Sequence, residues 1–392
     1  TDAYTWTGAA GDGLWETRDN WDPLPPSNWP VSAGVTFPAG DRTIRKNSDS
    51  FYHSITLQEG AGTITLVGNG KLQAATDATL DIPKGRELCF DGPTLNFPTN
   101  ISLAGGAMRI KSGLFKAHPN GLTFGDAGRL IVEGGRFTSE NSAAFTNNAE
   151  MVVCGGTASC SMYWKVYGPD TPGEPGSCIR LTSGTFIYDR DYAATIVRDG
   201  GRFENLGGTI IWGKGNDTQQ NRLDSGSGGY GQGAAFRDFL PPVGGRLIIP
   251  TSYNGSTLYF NEVDGEYDVG GSIYTTNATD ISRMFAGCKK MEKVAIKYLD
   301  TTHVTNMSGL FMDCESLTDE YLSFKGVRTA TVSDMSYMFS GCRSLQKLDV
   351  SGFDTKKATS MTFMFNDCSN LKHIKFSKYF NTKRAVLSII KP

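Results

Sequence analysis

Four segments in the last third of the chain repeat one another: ISRMFAGCKKMEKVAI, MSGLFMDCESLTDEYLSF, MSYMFSGCRSLQKLDV and MTFMFNDCSNLKHIKF. Their cysteines, Cys288, Cys314, Cys342 and Cys368, lie 26, 28 and 26 residues apart. The longer interval has a local cause, because Leu317 and Leu322 are separated by two more residues than Leu345 and Leu348. Elsewhere the phase is kept: Ile296 to Met307, Phe324 to Met335 and Val350 to Met361 are each 11 residues apart. A sequence that absorbs an insertion and recovers its register is a stack of similar coils. Over this stretch the chain is committed to a solenoid.

Within one coil the apolar positions are Met335, Met338 and Phe339, then Leu345, Leu348 and Val350. The first group predicts a short helical turn facing inward. The second predicts a short strand whose alternate residues enter the core. A single coil cannot bury such a face, whereas stacked neighbours can. These residues resemble the BspA-like surface-protein repeats, also found in mycoplasma lipoproteins, whose pattern runs M-F-x-x-C-x-x-L-x-x-L-x-L-x-x-F-D-T-x-x-V-T-x-M. Leu299-Asp300-Thr301 and Phe353-Asp354-Thr355 carry the middle element, and Phe380-Asn381-Thr382 carries a weakened one. The second repeat departs from it with Gly326-Val327-Arg328. The resemblance covers about residues 278–390 and implies a leucine-rich-repeat (α/β) solenoid on a secreted or surface-attached protein, often an adhesin. A partial fifth coil is expected, with Leu387 eleven residues after Phe376 and Ile390 in the phase of Met338.

The first two thirds differ in composition. Residues 281–392 carry 17 Lys+Arg and 10 Asp+Glu, a balance of +7, which leaves the rest of a chain of net charge −2 at −9. Fifteen of the 16 prolines precede residue 281. Gly is nearly one residue in eight (47 of 392), which fits many short strands joined at tight corners. Runs such as TITLVGNGKL, GRLIVEGGRF and CIRLTSGTF alternate with these corners. The glycines Gly113, Gly135, Gly156, Gly184 and Gly201 recur at 22, 21, 28 and 17 residues. That recurrence predicts a parallel β-helix, with an antiparallel sandwich as the rival. Two insertions, residues 165–177 and 213–233, are expected to project as loops. The opening W-T-G…G-D-G-x-W…N-W string resembles the start of bacterial secreted β-solenoids with autotransporter-associated repeats. Trp6, Trp15, Trp21 and Trp29 are expected to plug the first coil, with stacking on a sugar as the sharper alternative. The expected organisation is therefore mainly β: a Trp-rich cap (1–40), a Gly-rich domain (41–275) and the repeats (276–392).

Catalytic chemistry finds little support. Arg109-Ile110-Lys111 spells the R-I-K of polygalacturonases, but the paired carboxylate motifs that glycoside hydrolysis needs are missing. No two of His53, His118, His303 and His373 lie within ten residues, so no short zinc motif exists. We expect no catalytic residues, no metal and no cofactor. A secreted chain could pair Cys160 with Cys178 or Cys154 with Cys160, free buried thiols are the equal alternative, and the pairing among Cys89, Cys154, Cys160 and Cys178 stays open. Coils stacked about 4.8 Å apart bring the four repeat cysteines within disulfide range, yet parallel side chains give a poor S–S dihedral. They are read as one internal ladder of buried thiols.

The outward positions of the repeat strands, Lys293 and Lys297, Lys347 and Asp349, and His373 and Lys375, are the candidate partner-binding residues. A mainly basic stripe suits an acidic protein or glycan of a host, matrix or cell surface. A +7 region of this size carries no nucleic-acid motif. Nor does any run of 18 apolar residues predict a membrane span. The opening residues fit a secreted chain whose leader has been removed. The expectation is a non-enzymatic adhesion or recognition protein. The alternatives are a subunit that self-assembles into a filament or layer, and a carbohydrate-active β-helix.

Overall fold

The computed structural model describes residues 2–27, 33–96, 100–161, 163–168, 173, 176–188, 194–198, 201–212, 245–249, 267–269, 271–275, 278–294, 296–320 and 322–380. The described residues are β-strands and turns, with a single 3₁₀ turn at Arg18–Asn20 and no α-helix. They fall into two compact units, one formed by Thr1–Asp189 and Ala193–Glu204, the other by Arg190–Tyr192 and Asn205–Pro392. The projecting loop expected at 213–233, Trp29 and the partial fifth coil at Leu387 lie outside the described residues.

The first unit is a parallel β-solenoid. Its register can be followed through one inward column: Ile44 pairs with Leu66, Leu66 with Phe90, Phe90 with Ile110, Ile110 with Val132, Val132 with Val153, and Val153 with Leu181. All seven are buried. Each contributes on the order of 2 kcal/mol of apolar burial, an upper bound because the unfolded chain is not fully extended. Because the period of a strand is two, the neighbours of these residues point outward. Arg109 and Lys111 accordingly flank the inward Ile110, and Arg109 pairs with Glu87 (2.8 Å) and Glu133 (2.8 Å) on adjacent coils.

Glycine corners set how closely these coils approach. A Cβ on Gly113 would stand 2.6 Å from the carbonyl oxygen of Gly92, and one on Gly135 would stand 2.8 Å from that of Gly113. The column continues with Gly156 against Gly135 and Gly184 against Gly156. Gly201, expected in this series, lies elsewhere, facing the carbonyl of Val166. The Gly155–Gly156 corner also corrects the expected turn between Cys154 and Cys160. Both cysteines belong to one continuous strand, Glu150–Cys160, which bends at an irregularity after Val153. Lys165–Tyr167, assigned from sequence to a loop, is the end of the strand Tyr163–Tyr167.

Three tryptophans close over Phe37. Trp6 and Trp21 meet edge to face at 5.1 Å, Trp15 and Trp21 at 5.0 Å, and all three rings lie within 6.5 Å of Phe37. The Trp21 indole N–H donates to the Trp15 carbonyl at 2.8 Å. Beneath them Lys46 is fully buried and pairs with Glu16 at 3.0 Å. Burial pulls the Lys46 ammonium below its ordinary pKa, while Glu16 holds it charged. Arg86 is another buried cation, and its guanidinium donates to the backbone carbonyls of Gly62, Gln58 and Pro38. One side chain thereby ties a corner to two earlier segments.

The second unit contains the repeats, and each coil is bonded to the next turn by turn. Met335, Tyr337, Phe339 and Gly341 donate their N–H groups to Ser360, Thr362, Met364 and Asn366 of the following coil, at 2.7–2.9 Å. The intervening N–H groups of Met338, Ser340 and Cys342 bond back three residues within their own coil. This chain of linked turns stands where a short helix was expected. It requires a left-handed residue five and one positions before each cysteine: Arg283 and Gly287, Gly309 and Asp313, Tyr337 and Gly341, Phe363 and Asp367. An α-helix of the leucine-rich type has no left-handed interior residue.

Candidate functional site

Side-chain hydrogen bonds position the repeat face. Asp280, Asn306 and Asp334 form a bridged column, and each carboxylate or amide oxygen accepts the N–H two residues on, from Ser282, Ser308 and Ser336. A second column is made of Thr275, Thr301, Thr329 and Thr355, all buried. Their hydroxyls accept the N–H groups of Asp300 (2.9 Å), Arg328 (2.7 Å) and Asp354 (2.8 Å) on following coils. Thr329 and Thr355 also donate onward, to the carbonyls of Asp354 and Tyr379. The D-T element of the repeat is thus a buried hydroxyl ladder. It begins at Thr275, one coil before the first repeat cysteine, which the sequence pattern alone did not reveal.

The cysteines form the third column. All eight in the chain are free thiols, so no disulfide pins Cys154, Cys160 or Cys178. The thiols of Cys314, Cys342 and Cys368 donate to the carbonyl oxygens of Phe285 (3.0 Å), Phe311 (3.1 Å) and Phe339 (3.0 Å) on the preceding coil. The same carbonyls accept the N–H of their own coil's cysteine. Phe285, Phe311, Phe339 and Phe365 stack nearly parallel beside them at 5.4–5.8 Å. A cysteine here is more than a small apolar filler, since it supplies a weak donor where alanine or valine supplies none. Burial raises the thiol pKa of Cys288 to about 12 and that of Cys368 to about 11, and pushes Cys314 and Cys342 well above the ordinary value.

These columns fix two short strands, Lys347–Val350 and His373–Phe376, which pair in parallel. Leu348 and Val350 turn into the core, so Lys347 and Asp349 turn out. The register sets Lys347 beside His373 and Asp349 beside Lys375. All four line one shallow depression of about 260 Å³, together with Asp319 and Leu322 from the preceding coil. Those two residues flank the repeat insertion, so the concavity lies where the repeat departs from its own pattern. Hydrogen bonds from the Ser351 hydroxyl and N–H hold the Asp349 carboxyl below its ordinary pKa, with Lys375 adding to the shift. Lys375 approaches Asp349 at 3.3 Å, but both side chains are largely exposed, and such a pair contributes at most about 1 kcal/mol. Lys347 has no ion pair among the described residues, which leaves the depression a cation to offer.

The other two candidates stand apart. Lys293 is half-buried on Met291–Val294, in register with Asp268. Lys297 lies in the following turn, its ammonium 4.7 Å from the centre of the Tyr298 ring, which stacks on Tyr274 at 4.6 Å. Neither lines the depression. Among the described residues no cluster of three or more His, Cys, Asp or Glu is placed to hold a metal ion, and no helix is long and apolar enough to cross a membrane.

Comparison with known proteins gives one match. Residues 260–386 match a family described as "Mycoplasma protein of unknown function, DUF285". That span contains all four coils and the Thr275 strand. Neither the curated proteins nor the solved structures gave a match.

Proposed function

We propose that this chain is a secreted or cell-surface recognition protein without enzymatic activity, and that the repeat face grips an acidic protein or glycan. The observation that carries this reading is the convergence of Lys347, His373 and Lys375, with Asp319 and Asp349, on one depression built by two hydrogen-bonded strands. Lys347, with no ion pair among the described residues, suits a negatively charged ligand. The match to a mycoplasma family supports an origin in which the resemblance to surface repeats is expected.

The test is binding of the full chain to sulfated and sialylated glycans and to acidic host-matrix proteins, at two salt concentrations. Lys347→Glu with Lys375→Glu should weaken the interaction at least tenfold and remove its salt dependence. Lys297→Glu, outside the depression, should leave it nearly unchanged. Equal binding by all three proteins, or hydrolysis of any glycan offered, would overturn the reading.

A further inference from the structure

Ion pairs and backbone ladders join neighbouring coils along much of the first unit. Arg109 spans Glu87 and Glu133, Arg180 spans Glu150 and Glu204, Arg129 meets Glu150, and Lys116 meets Glu140 at 2.7 Å. One place departs from this. Between the strands Asn100–Ser102 and Leu122–Phe124 the sheet has no ladder, although their Cα atoms come within 8 Å of one another. Asn100–Ser102 pairs on its other side with Lys71–Asp81, and Leu122–Phe124 with Ala143–Phe145. Along a parallel strand the N–H and C=O of one residue face one neighbour and those of the next residue face the other. The bonds from Ile82 to Ser102, from Leu122 to Ser142 and from Thr146 to Phe124 therefore leave the N–H and C=O groups of Ile101 and Thr123 facing the seam.

A groove of about 590 Å³ lies over this seam, within the size range of small-ligand sites. Its walls carry Asp81, Ser102, Thr123, Asp126 and Asn147, whose side chains make no hydrogen bond to the protein among the described residues. Ile101, half-buried, is the apolar residue the groove exposes, above the buried Leu80 and Leu103. Here, then, are carboxylates without counter-ions, hydroxyls and an amide without partners, and two unsatisfied peptide groups over an apolar base. An inserted β-strand would need its neighbours about 9.6 Å apart, twice the usual strand spacing, so the seam is too narrow for a peptide to complete the sheet. Carboxylate and amide oxygens accept from vicinal hydroxyls, and Ile101 offers an apolar contact to the C–H face of a ring.

We propose that this seam is a second binding site, separate from the repeat face, for a short neutral oligosaccharide. Two carboxylates with no cation beside them exclude uronates and sulfated sugars, so its preference is the opposite of that expected at Lys347 and Lys375.

The probes are neutral oligomers of three to six residues, made of glucose, mannose or N-acetylglucosamine, titrated calorimetrically against the full chain beside oligogalacturonate. At least one neutral oligomer should bind, and oligogalacturonate should not. Asp81→Ala with Asp126→Asn, which keeps a residue suited to the left-handed φ of 53° at 126, should weaken that binding at least tenfold at an unchanged thermal midpoint. Thr123→Val, which keeps the backbone, should weaken it a few fold. Lys347→Glu with Lys375→Glu should leave it intact, so that failure here and failure of the repeat-face reading are told apart. Binding of none of the neutral oligomers, preference for oligogalacturonate, or indifference to the Asp81, Asp126 and Thr123 variants would overturn the proposal.

Discussion

In the first unit the coils are joined by long parallel ladders of backbone hydrogen bonds, whereas between Asp280 and Cys368 they are joined turn to turn. A ladder strand accepts any inward apolar residue of about the right size, so Ile, Leu, Phe and Val share one column. The turn-linked coils depend on side chains for the same cohesion. An Asx or Ser oxygen holds one turn, a threonine hydroxyl joins two coils, and a thiol donates to a phenylalanine carbonyl. Each position then tolerates few residue types. Two solenoids of similar build thus differ in how much of their construction is written in side-chain identity.

The largest expected effect is at the glycine column. Gly113→Ala combines a left-handed φ of 90° with contact against the Gly92 carbonyl, and should cost about 3–5 kcal/mol or abolish folding. Gly326→Ala is the matched control in the repeats, with φ 91° and its nearest atom 3.6 Å away, and should cost about 1–2 kcal/mol. Urea unfolding of both variants checks this. Equal costs would remove close coil approach as the reason for glycine in the first unit.

Next comes the hydroxyl ladder. Thr329→Val keeps shape but strands the buried N–H of Asp354, at a cost of about 1–3 kcal/mol, and Thr329→Ser should recover most of it. A valine variant as stable as the parent would show that the repeats, like the first unit, need only apolar filling. A smaller effect is expected at the thiols. Cys342→Ala should cost about 1–2 kcal/mol. Native protein treated with iodoacetamide at pH 8 should be labelled first at the half-exposed Cys154, and at Cys288, Cys314, Cys342 and Cys368 only on unfolding. Mass spectrometry of the labelled peptides reads the order, and early labelling of the repeat column would break the assignment.

The smallest effect is electrostatic and confined to the Trp cap. Burial opposes the Glu16 carboxylate, but hydrogen bonds from Ser48, the Lys46 charge and the Asn47 N–H outweigh it and hold its pKa below the ordinary value. A depressed carboxyl contributes stability above its unfolded pKa, about 4.3, and loses it as the pH falls through the folded value. Glu16→Gln should therefore be less stable than the parent at pH 7 and show a shallower loss between pH 5 and pH 3, measured by thermal midpoints.

The same contrast explains what was legible. The repeat period, its inserted residues and the internal cysteine column follow from sequence order alone, because those side chains carry hydrogen bonds and recur at one phase of every coil. The alternating Gly-Cys and Asp-Cys pairs even mark the left-handed turns, since Gly and Asp reach that conformation most readily. The sequence does not separate a helical turn from linked turns here, because Met335, Met338 and Phe339 have the same spacing in both. Lys347, Asp349, His373 and Lys375 were found as one face because a strand period of two places them there. Lys293 and Lys297 were grouped with them by repeat phase, and their local packing separates them.

What the sequence determined is a solenoid, its inward columns and the outward face of its last strands. Tertiary structure alone decided the rest: that Arg86 and Lys46 are buried cations, that Gly201 stands outside the corner column, and that the strands Asn100–Ser102 and Leu122–Phe124 share no ladder. Periodicity along a chain records what every coil must do. A seam, a buried charge or a groove depends on how two particular coils meet, and no period carries that.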